Sequence, residues 1–473
     1  MRKLSLISLM LLIVSTSTFA GDYLTNTNQN AAFLRMIARG ASIDLDGVYS
    51  NPAGLAFLPK DGFQLALTVQ SAYQTRDIAA TSPLWTMDGQ TSTRLYEGKA
   101  SAPVIPSLHA VYKKGDWAFS GSFAVVGGGG KASFDQGLPM FDAAAISLAS
   151  ATSNGMLKPN MFNINSAMEG RQFIYGVQLG ASYKISEHFS VFAGARMNYF
   201  TGGYTGFLNV NLKDGVAAQL GAAMVQQLVQ GGMPLEQAQQ VVQQQSGAML
   251  QQLEDAKIEL DCDQTGWGLT PIIGVDAKFG KLNLAAKYEF KANMNIENNT
   301  HKLDAPDAAD AFMAPFKHGV NTPNDLPSML SVAAGYEFLP SLRATVEYHF
   351  FDDKNAGMAG DKQKELKHGT HEYLIGAEWD INKLITISSG YQKTNYGLSD
   401  NFQSDTSFSC DSYSVGLGGR INFNEALSLD VAYFWTSYSD YTKTNPRGLG
   451  ASVDKDVYSR TNKVFGVSVN YKF

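Results

Sequence analysis

The chain has 473 residues and a formal net charge of −6, and charged residues make up 17% of it, below the roughly 25% of ordinary globular domains. This acidic balance excludes the basic surface that nucleic-acid binding requires. Two cysteines, Cys262 and Cys410, are too few for a disulfide scaffold, and the sequence leaves open whether they form one bridge.

The N-terminus has the features of a secretory signal peptide over residues 1–20. A short basic stretch precedes an apolar run over residues 4–14, and small residues then lead to Ala20. This order predicts cleavage after Ala20, so that the mature chain begins at Gly21. No later stretch reaches the roughly 20 consecutive apolar residues of a membrane-spanning helix. The mature chain is therefore either a soluble exported protein or a barrel.

Residues 21–60 lack a strand pattern. An apolar, helix-like run over residues 31–38 precedes two acidic turn residues and then the run Asn51-Pro52-Ala53. The segment is too short to fold alone. We therefore expect it to pack inside the barrel that is predicted for residues 61–473.

Apolar residues alternate with small or polar residues along the rest of the chain. Leu427, Leu429 and Val431, for example, alternate with Ser428 and Asp430. Such a strand turns an apolar face to lipid and a wettable face to the lumen of a transmembrane barrel. Fourteen such segments occur, and single-chain bacterial barrels have even strand numbers. The segments lie near residues 61–75, 92–113, 115–127, 170–185, 188–203, 259–279, 281–295, 327–338, 341–352, 370–381, 383–397, 408–423, 425–440 and 458–473.

Short and long connections alternate between these segments. Every second connection is tight, such as Lys113 to Asp116, and the intervening ones are long. Outward aromatic residues such as Tyr183 and Trp379 lie beside the tight turns, as in an interfacial girdle. The terminal Phe473 resembles the sorting signal that barrel-assembly machinery reads. The sequence therefore predicts an all-β membrane protein, a fourteen-stranded antiparallel β-barrel in the outer membrane of a Gram-negative-type bacterium.

The N-terminal segment resembles the hatch of the FadL family, which comprises outer-membrane transporters for long-chain fatty acids and other hydrophobic compounds. The family's fourteen strands agree with the predicted number. The resemblance implies a monomeric, non-enzymatic, passive transporter without a cofactor, whose partners are outer-membrane lipid, a hydrophobic ligand and the assembly machinery. It also implies that the Asn-Pro-Ala run shapes the hatch. The matching residues are Ala31, Ala32, Arg35, Asn51, Pro52 and Ala53.

Two long loops contain apolar residues at helical spacing. In residues 204–258 an apolar stripe with spacing four precedes a Gly-Gly-Met-Pro break and a second stripe, which predicts two amphipathic helices. In the family, loops at this place and the next form the groove where ligand first binds. The alternative is that the helices bury these faces on each other. The candidate groove residues are Leu220, Met224, Leu228, Phe312 and Phe316.

Two further features face the predicted lumen or its wall. The run Gly127-Gly128-Gly129-Gly130 weakens strand pairing and favours a kink. The family has a kinked third strand that opens a side window, so the run is a candidate lateral gate, with an ordinary loop root as the alternative. Three inward cations could pair with a ligand carboxylate, or with other lumenal charges and the hatch. These cations are Arg196, Lys287 and Arg343.

Signals for catalysis and metal binding are poor. His368 and His371 flank a loop near Glu372, without further convergent ligands that a metal site needs. The expected function is passive transport of hydrophobic small molecules, with capture at the loops, a hatch-gated lumenal site and lateral release. The alternatives are a surface interaction protein or adhesin, a porin for polar solutes, and a membrane-embedded lipid hydrolase.

Overall fold

The structure, a computed structural model, describes residues 25–87, 90–153, 155–254 and 257–473. In these ranges seventeen strands form one antiparallel sheet, which closes because β1 pairs with both β2 and β17. The first nine strands are β1 (Gly62–Met87), β2 (Gln90–Lys114), β3 (Trp117–Phe134), β4 (Phe162–Lys184), β5 (Phe189–Leu212), β6 (Ile258–Phe279), β7 (Leu282–Glu289), β8 (Asn295–Asp304) and β9 (Asn321–Pro323). The others are β10 (Met329–Leu339), β11 (Leu342–Phe351), β12 (Thr370–Asp380), β13 (Ile385–Asn395), β14 (Ser412–Asn422), β15 (Leu427–Tyr438), β16 (Tyr441–Thr444) and β17 (Lys455–Lys472).

Fourteen of these strands make up the barrel wall, so the predicted fold is confirmed. The remaining three extend the wall on the side of the long loops: β8 pairs with β6, β9 with β8, and β16 with β17. β1, β3, β4 and β5 run much farther at their loop-side ends than the sequence predicted. A membrane strand needs only about ten residues, and the outer parts of these four strands pack against the loops instead.

The period-two pattern sets which face each side chain takes. On β1, Leu67 and Val69 are 54% and 46% exposed, whereas Thr68 and Gln70 are 1% and 2% exposed. The exposed face is apolar and suits lipid, and the buried face is polar and suits a lumen. Aromatic rings lie beside the tight turns, including Trp117 on β3. Its ring centroid is 4.6 Å from that of a tyrosine on β4.

The described residues contain five α-helices, and four of them lie outside the N-terminal segment. No helix among them is long and apolar enough to cross a membrane. Short 3-10 helices occur at Leu45–Val48 and Ala53–Phe57 and in several loops. The helices are α1 (Ala31–Met36), α2 (Pro139–Thr152), α3 (Val216–Gln230), α4 (Leu235–Glu254) and α5 (Asp310–Met313).

The N-terminal segment, residues 25–60, is surrounded by the wall. Its helix α1 contacts β13, β14, β15 and β17, and the 3-10 helix at Ala53–Phe57 contacts β4, β5 and β6 on another part of the ring. Leu34 on α1 and Ile37 directly after it have no exposed surface. These contacts place the segment in the lumen. The predicted signal peptide, residues 1–20, lies outside the described residues.

Candidate functional site

Buried ion pairs fix α1 to the wall. Arg35 Nε donates to Asp430 Oδ1 at 2.9 Å and Arg35 Nη1 lies 2.5 Å from Glu378 Oε1. Arg39 binds both carboxylate oxygens of Asp46 at 2.7 Å and lies 3.2 Å from Glu378. Since charges are seldom buried unless they are paired, this network links residues 35–46 to β12 and β15.

The Asn-Pro-Ala run binds the opposite side of the wall. Asn51 Nδ2 donates to Asp276 Oδ2 on β6 at 2.6 Å, and Asn51 Oδ1 accepts from the Gly54 amide at 3.2 Å. The carbonyls of Pro52 and Ala53 accept from serine hydroxyls of β4 and β5 at 2.6 and 2.7 Å. Each residue of the run thus meets a lumenal side chain, and its role in shaping the hatch stays a prediction.

The three candidate carboxylate-binding cations all have protein partners. Arg196 and Lys287 both pair with Glu289, the lysine at 2.8 Å, and Lys287 also donates to the Tyr49 carbonyl at 2.7 Å. Arg343 pairs with two carboxylates of β12, at 2.9 and 2.8 Å. These contacts agree with the alternative interpretation, in which the three cations pair with other charged groups of the lumen and with the N-terminal segment. A role of the three cations toward ligand stays a prediction.

A polar cavity of about 160 Å³ lies between the N-terminal segment and the loops. Its lining includes the guanidinium-bearing Arg76 on β1 and Arg460 on β17, which were not among the sequence candidates. Both residues lie at even-numbered positions, as do the other inward-facing residues of their strands. The period-two alternation of the sequence therefore indicates that both side chains face the lumen. Other lining residues are Asn26, Phe33, Gln74, Gly128, Gly129, Gly130, Glu372, Gln392, Thr394, Tyr438 and Asn462.

The glycine run borders a gap in the wall. The β2–β3 ladder pairs Ser101 with Lys131 and Leu108 with Phe123, and no pair of described residues is formed between these two positions. Prolines in this part of β2 lack the amide hydrogen that a ladder needs. The amide of Asn26 instead donates to a β3 carbonyl at 2.8 Å. The glycine run therefore lies at an irregularly paired part of the wall, with the N-terminal segment against it, and its role as a lateral gate stays a prediction.

Gly128 has a φ of +100°, and a Cβ atom there would lie 2.4 Å from the Gln172 carbonyl oxygen. Gly128→Ala is expected to destabilise the protein by more than about 1 kcal/mol, because it adds a backbone clash to an unfavourable φ. The matched control is Gly155→Ala, where φ is +81° and, its chain neighbours aside, no atom of a described residue lies within 4 Å of the added Cβ. Urea unfolding followed by tryptophan fluorescence should show the larger loss for Gly128→Ala, and equal losses would contradict a close-packed kink.

The five groove candidates do not form one surface. Leu220 lies in a large apolar cluster beneath the loops. Phe312 and Phe316 belong to a neighbouring cluster, where the Phe316 ring meets the Tyr204 ring edge-on at 5.8 Å. Met224 and Leu228 are half-buried on α3. Met168 and Ile258 contact both clusters, which therefore adjoin.

The two cysteines are not joined in a disulfide. Cys262 and Cys410 are buried and free, and burial raises the pKa of the Cys410 thiol to about 11, so it stays protonated at neutral pH. The described residues contain no group of three or more metal-binding side chains. His371 instead shares a hydrogen bond with the Tyr348 hydroxyl at 2.7 Å.

Solved structures with the same architecture match over nearly the whole chain. A Pseudomonas aeruginosa FadL homologue is 15% identical with a TM-score of 0.63, and the match covers 95% of this chain and 99% of that protein. The Pseudomonas putida toluene transporter TodX is 16% identical with a TM-score of 0.54, covering 96% and 100%. The Ralstonia pickettii toluene transporter TbuX is 13% identical with a TM-score of 0.51, covering 97% and 99%.

No family model matches the sequence, and a search of curated proteins gave no match. The closed wall, apolar outer face and polar lumen define an outer-membrane-type β-barrel. More particularly, its fold is that of the FadL-type transporters of hydrophobic compounds, as the resemblance of the N-terminal segment implied. At identities of 13–16%, the likeness establishes the fold alone.

Proposed function

We propose that this protein is a passive, non-enzymatic channel for hydrophobic small molecules in the outer membrane of a Gram-negative-type bacterium. One observation carries the proposal: the barrel is occupied by residues 25–60, while its wall is interrupted at the glycine run directly beside that segment. A filled lumen with a gap in its wall suits a solute that is soluble in lipid. A polar solute would need an open aqueous path instead.

Long-chain fatty acids are the proposed substrates, and the protein is proposed to act as a monomer. Ligand would first bind among the loops, near the adjoining clusters that contain Leu220 and Phe316. It would then occupy the polar cavity above the N-terminal segment. A shift of residues 25–60, the proposed hatch, would open the way from the cavity to the gap at Gly127–Gly130. This route uses no energy source beyond the ligand's own gradient.

Binding to the purified protein tests this function. Oleate is expected to displace a fluorescent apolar probe from the protein in mild detergent, and maltose is not, because apolar surface and a cationic cavity favour an amphiphile. Mass spectrometry of the gently extracted protein should also show a co-purifying acyl compound. Displacement by maltose but not oleate would favour the porin alternative, and binding of neither would leave a surface interaction protein as the better account.

A further inference from the structure

The wall has a second interruption, between β15 and β17. The ladder runs without a break from Leu427 paired with Tyr471 to Ser437 paired with Thr461. It resumes only where Tyr441 on β16 pairs with β17. Residues 438–440 thus lie opposite residues 459–460 without ladder pairs, three residues against two. Such a mismatch bends one strand away from its neighbour.

A cleft of about 470 Å³ lies at this interruption. Residues of both faces of the wall line it, because Trp435 and Lys463 face outward whereas Asn462 and Arg460 face inward by parity. Four of its lining residues also line the lumenal cavity. The cleft and the cavity therefore adjoin through the wall, with the shared side chains between them. These shared residues are Thr436, Tyr438, Arg460 and Asn462.

Two of the four shared side chains, Tyr438 and Arg460, stack on each other. The Arg460 guanidinium lies 4.9 Å from the centroid of the Tyr438 ring. Its Nη1 donates to the Phe408 carbonyl at 3.3 Å and its Nη2 to Gln74 at 3.5 Å, which are long hydrogen bonds. Its Nε is buried and has no hydrogen-bond partner among the described residues. A buried hydrogen-bond donor without a partner is energetically unfavourable. An acceptor that enters the cleft would therefore receive a hydrogen bond from this nitrogen without breaking an existing one.

The chemistry of the cleft selects an anion with an apolar tail. Arg460 on the inner side and Lys463 on the outer side are its charged residues, and none of the nine residues that line it is acidic. Tyr433 and Trp435, stacked at 5.6 Å, supply apolar surface on the outer side. Residues 427–437 span about 25 Å at the usual rise and tilt, so the cleft lies at the loop-side edge of the apolar band.

We infer that the interruption between β15 and β17 is a second side opening, through which a single-chain anionic amphiphile passes between the outer-leaflet interface and the lumenal cavity. The inference rests on the proposed transport function and adds to it a place of passage and a charge requirement. On the outer side, Lys463 binds the anionic head group. On the lumenal side, the Arg460 guanidinium moves off the Tyr438 ring and binds the head group in turn. The acyl chain follows along the aromatic pair.

Blocking the cleft with Ser437→Trp tests the passage. Ser437 faces outward at the level of Trp435, where an added indole suits the interfacial belt. In cells of a Gram-negative strain without its own fatty-acid channel, the initial rate of oleate uptake is expected to fall at least about threefold, because the indole fills the cleft. The matched control is Thr265→Trp on β6, an exposed outward position beside Trp267. It should leave uptake unchanged, and a heat-dependent shift in gel mobility verifies that each variant is folded.

The charge requirement has its own test. Arg460→Gln is expected to raise the oleate concentration for half-maximal uptake about tenfold, because a charge-assisted hydrogen bond is lost. Uptake of oleyl alcohol, which lacks the charge, should not change. Lys463→Gln should show a smaller effect in the same direction, and Lys393→Gln, an exposed lysine on β13, should show none.

The outcomes separate this inference from the function on which it rests. If the unaltered protein takes up no more oleate than cells with an empty vector, the transport function fails. If it does take up oleate but Ser437→Trp and Arg460→Gln equal it, the second opening is wrong. One further result would also overturn it: a phosphate-bearing lipid cross-links to position 463 while the uptake of oleate by Ser437→Trp is unchanged. The cleft would then bind only an outer-leaflet lipid.

Discussion

Deleting residues 25–58 is expected to turn a nearly closed barrel into a steady ion conductor. The deleted residues include α1 and both 3-10 helices of the segment, which contact β12–β15, β17 and β1–β6 around the lumen. Eight strands leave room for side chains only, and sixteen leave an aqueous channel. A fourteen-stranded wall without its N-terminal segment should therefore conduct, and single-channel current in a planar bilayer should rise by roughly tenfold or more.

A matched deletion distinguishes the lumenal segment from the loops. Removing residues 216–254, which contain the loop helices α3 and α4, should leave the conductance of the full chain low. Strand β1 begins only at Gly62 and closes against β17, so both deletions keep the wall intact. Equal conductance of the unaltered protein and the deletion of residues 25–58 would show that the segment does not occlude the pore.

Replacing Arg35 by methionine is expected to lower the free energy of unfolding by about 3 kcal/mol, the lower end of the cost of breaking a buried ion pair. Arg35 and Asp430 are both 1% exposed, and Glu378 is 4% exposed. The substitution removes the positive charge between two buried carboxylates. Arg39 and Arg420 remain bound to those carboxylates, which keeps the loss from being larger.

The control for Arg35→Met is Lys60→Met. Lys60 pairs with Glu425 at 2.6 Å, but the two side chains are 67% and 89% exposed, and exposed pairs contribute little. Thermal unfolding followed by circular dichroism should show a clear decrease in midpoint for Arg35→Met only. Protease should also cut residues 25–60 faster in that variant. Equal midpoints and equal cleavage for the two variants would contradict the anchoring role of the α1 ion pairs.

The strands of the wall could be predicted from the sequence because the alternation of apolar and polar side chains depends only on neighbouring residues of the same strand. Leu67, Thr68 and Val69 alternate between lipid and lumen by strand geometry alone, and this parity fixes the face of residues that are far apart in the chain. It placed Arg196, Lys287 and Arg343 inside the barrel. The partners of these cations depend on which strands become neighbours, so the sequence predicts lumenal pairing only as one of two alternatives and does not identify Glu289 or the carboxylates of β12.

The interruptions of the wall were predictable only in part. Four consecutive glycines predict weak pairing of their own strand, and the ladder between β2 and β3 has a gap at this place. The gap between β15 and β17 has no such signal, because it arises from three residues lying opposite two. Register between strands that are separated by a long loop is not encoded in either strand alone. Arg460 is a different case: its even-numbered position continues the inward parity of the last predicted strand, but it lies near the loop-side end of that strand.

Uptake across an intact outer membrane tests the central claim most directly. Cells that lack their own fatty-acid channel and carry this protein should accumulate labelled oleate faster than cells with an empty vector, because the sugar layer of that membrane resists hydrophobic solutes. The same cells should take up a polar sugar no faster than the empty-vector cells. Rapid uptake of the sugar together with unchanged uptake of oleate would contradict a channel for hydrophobic molecules.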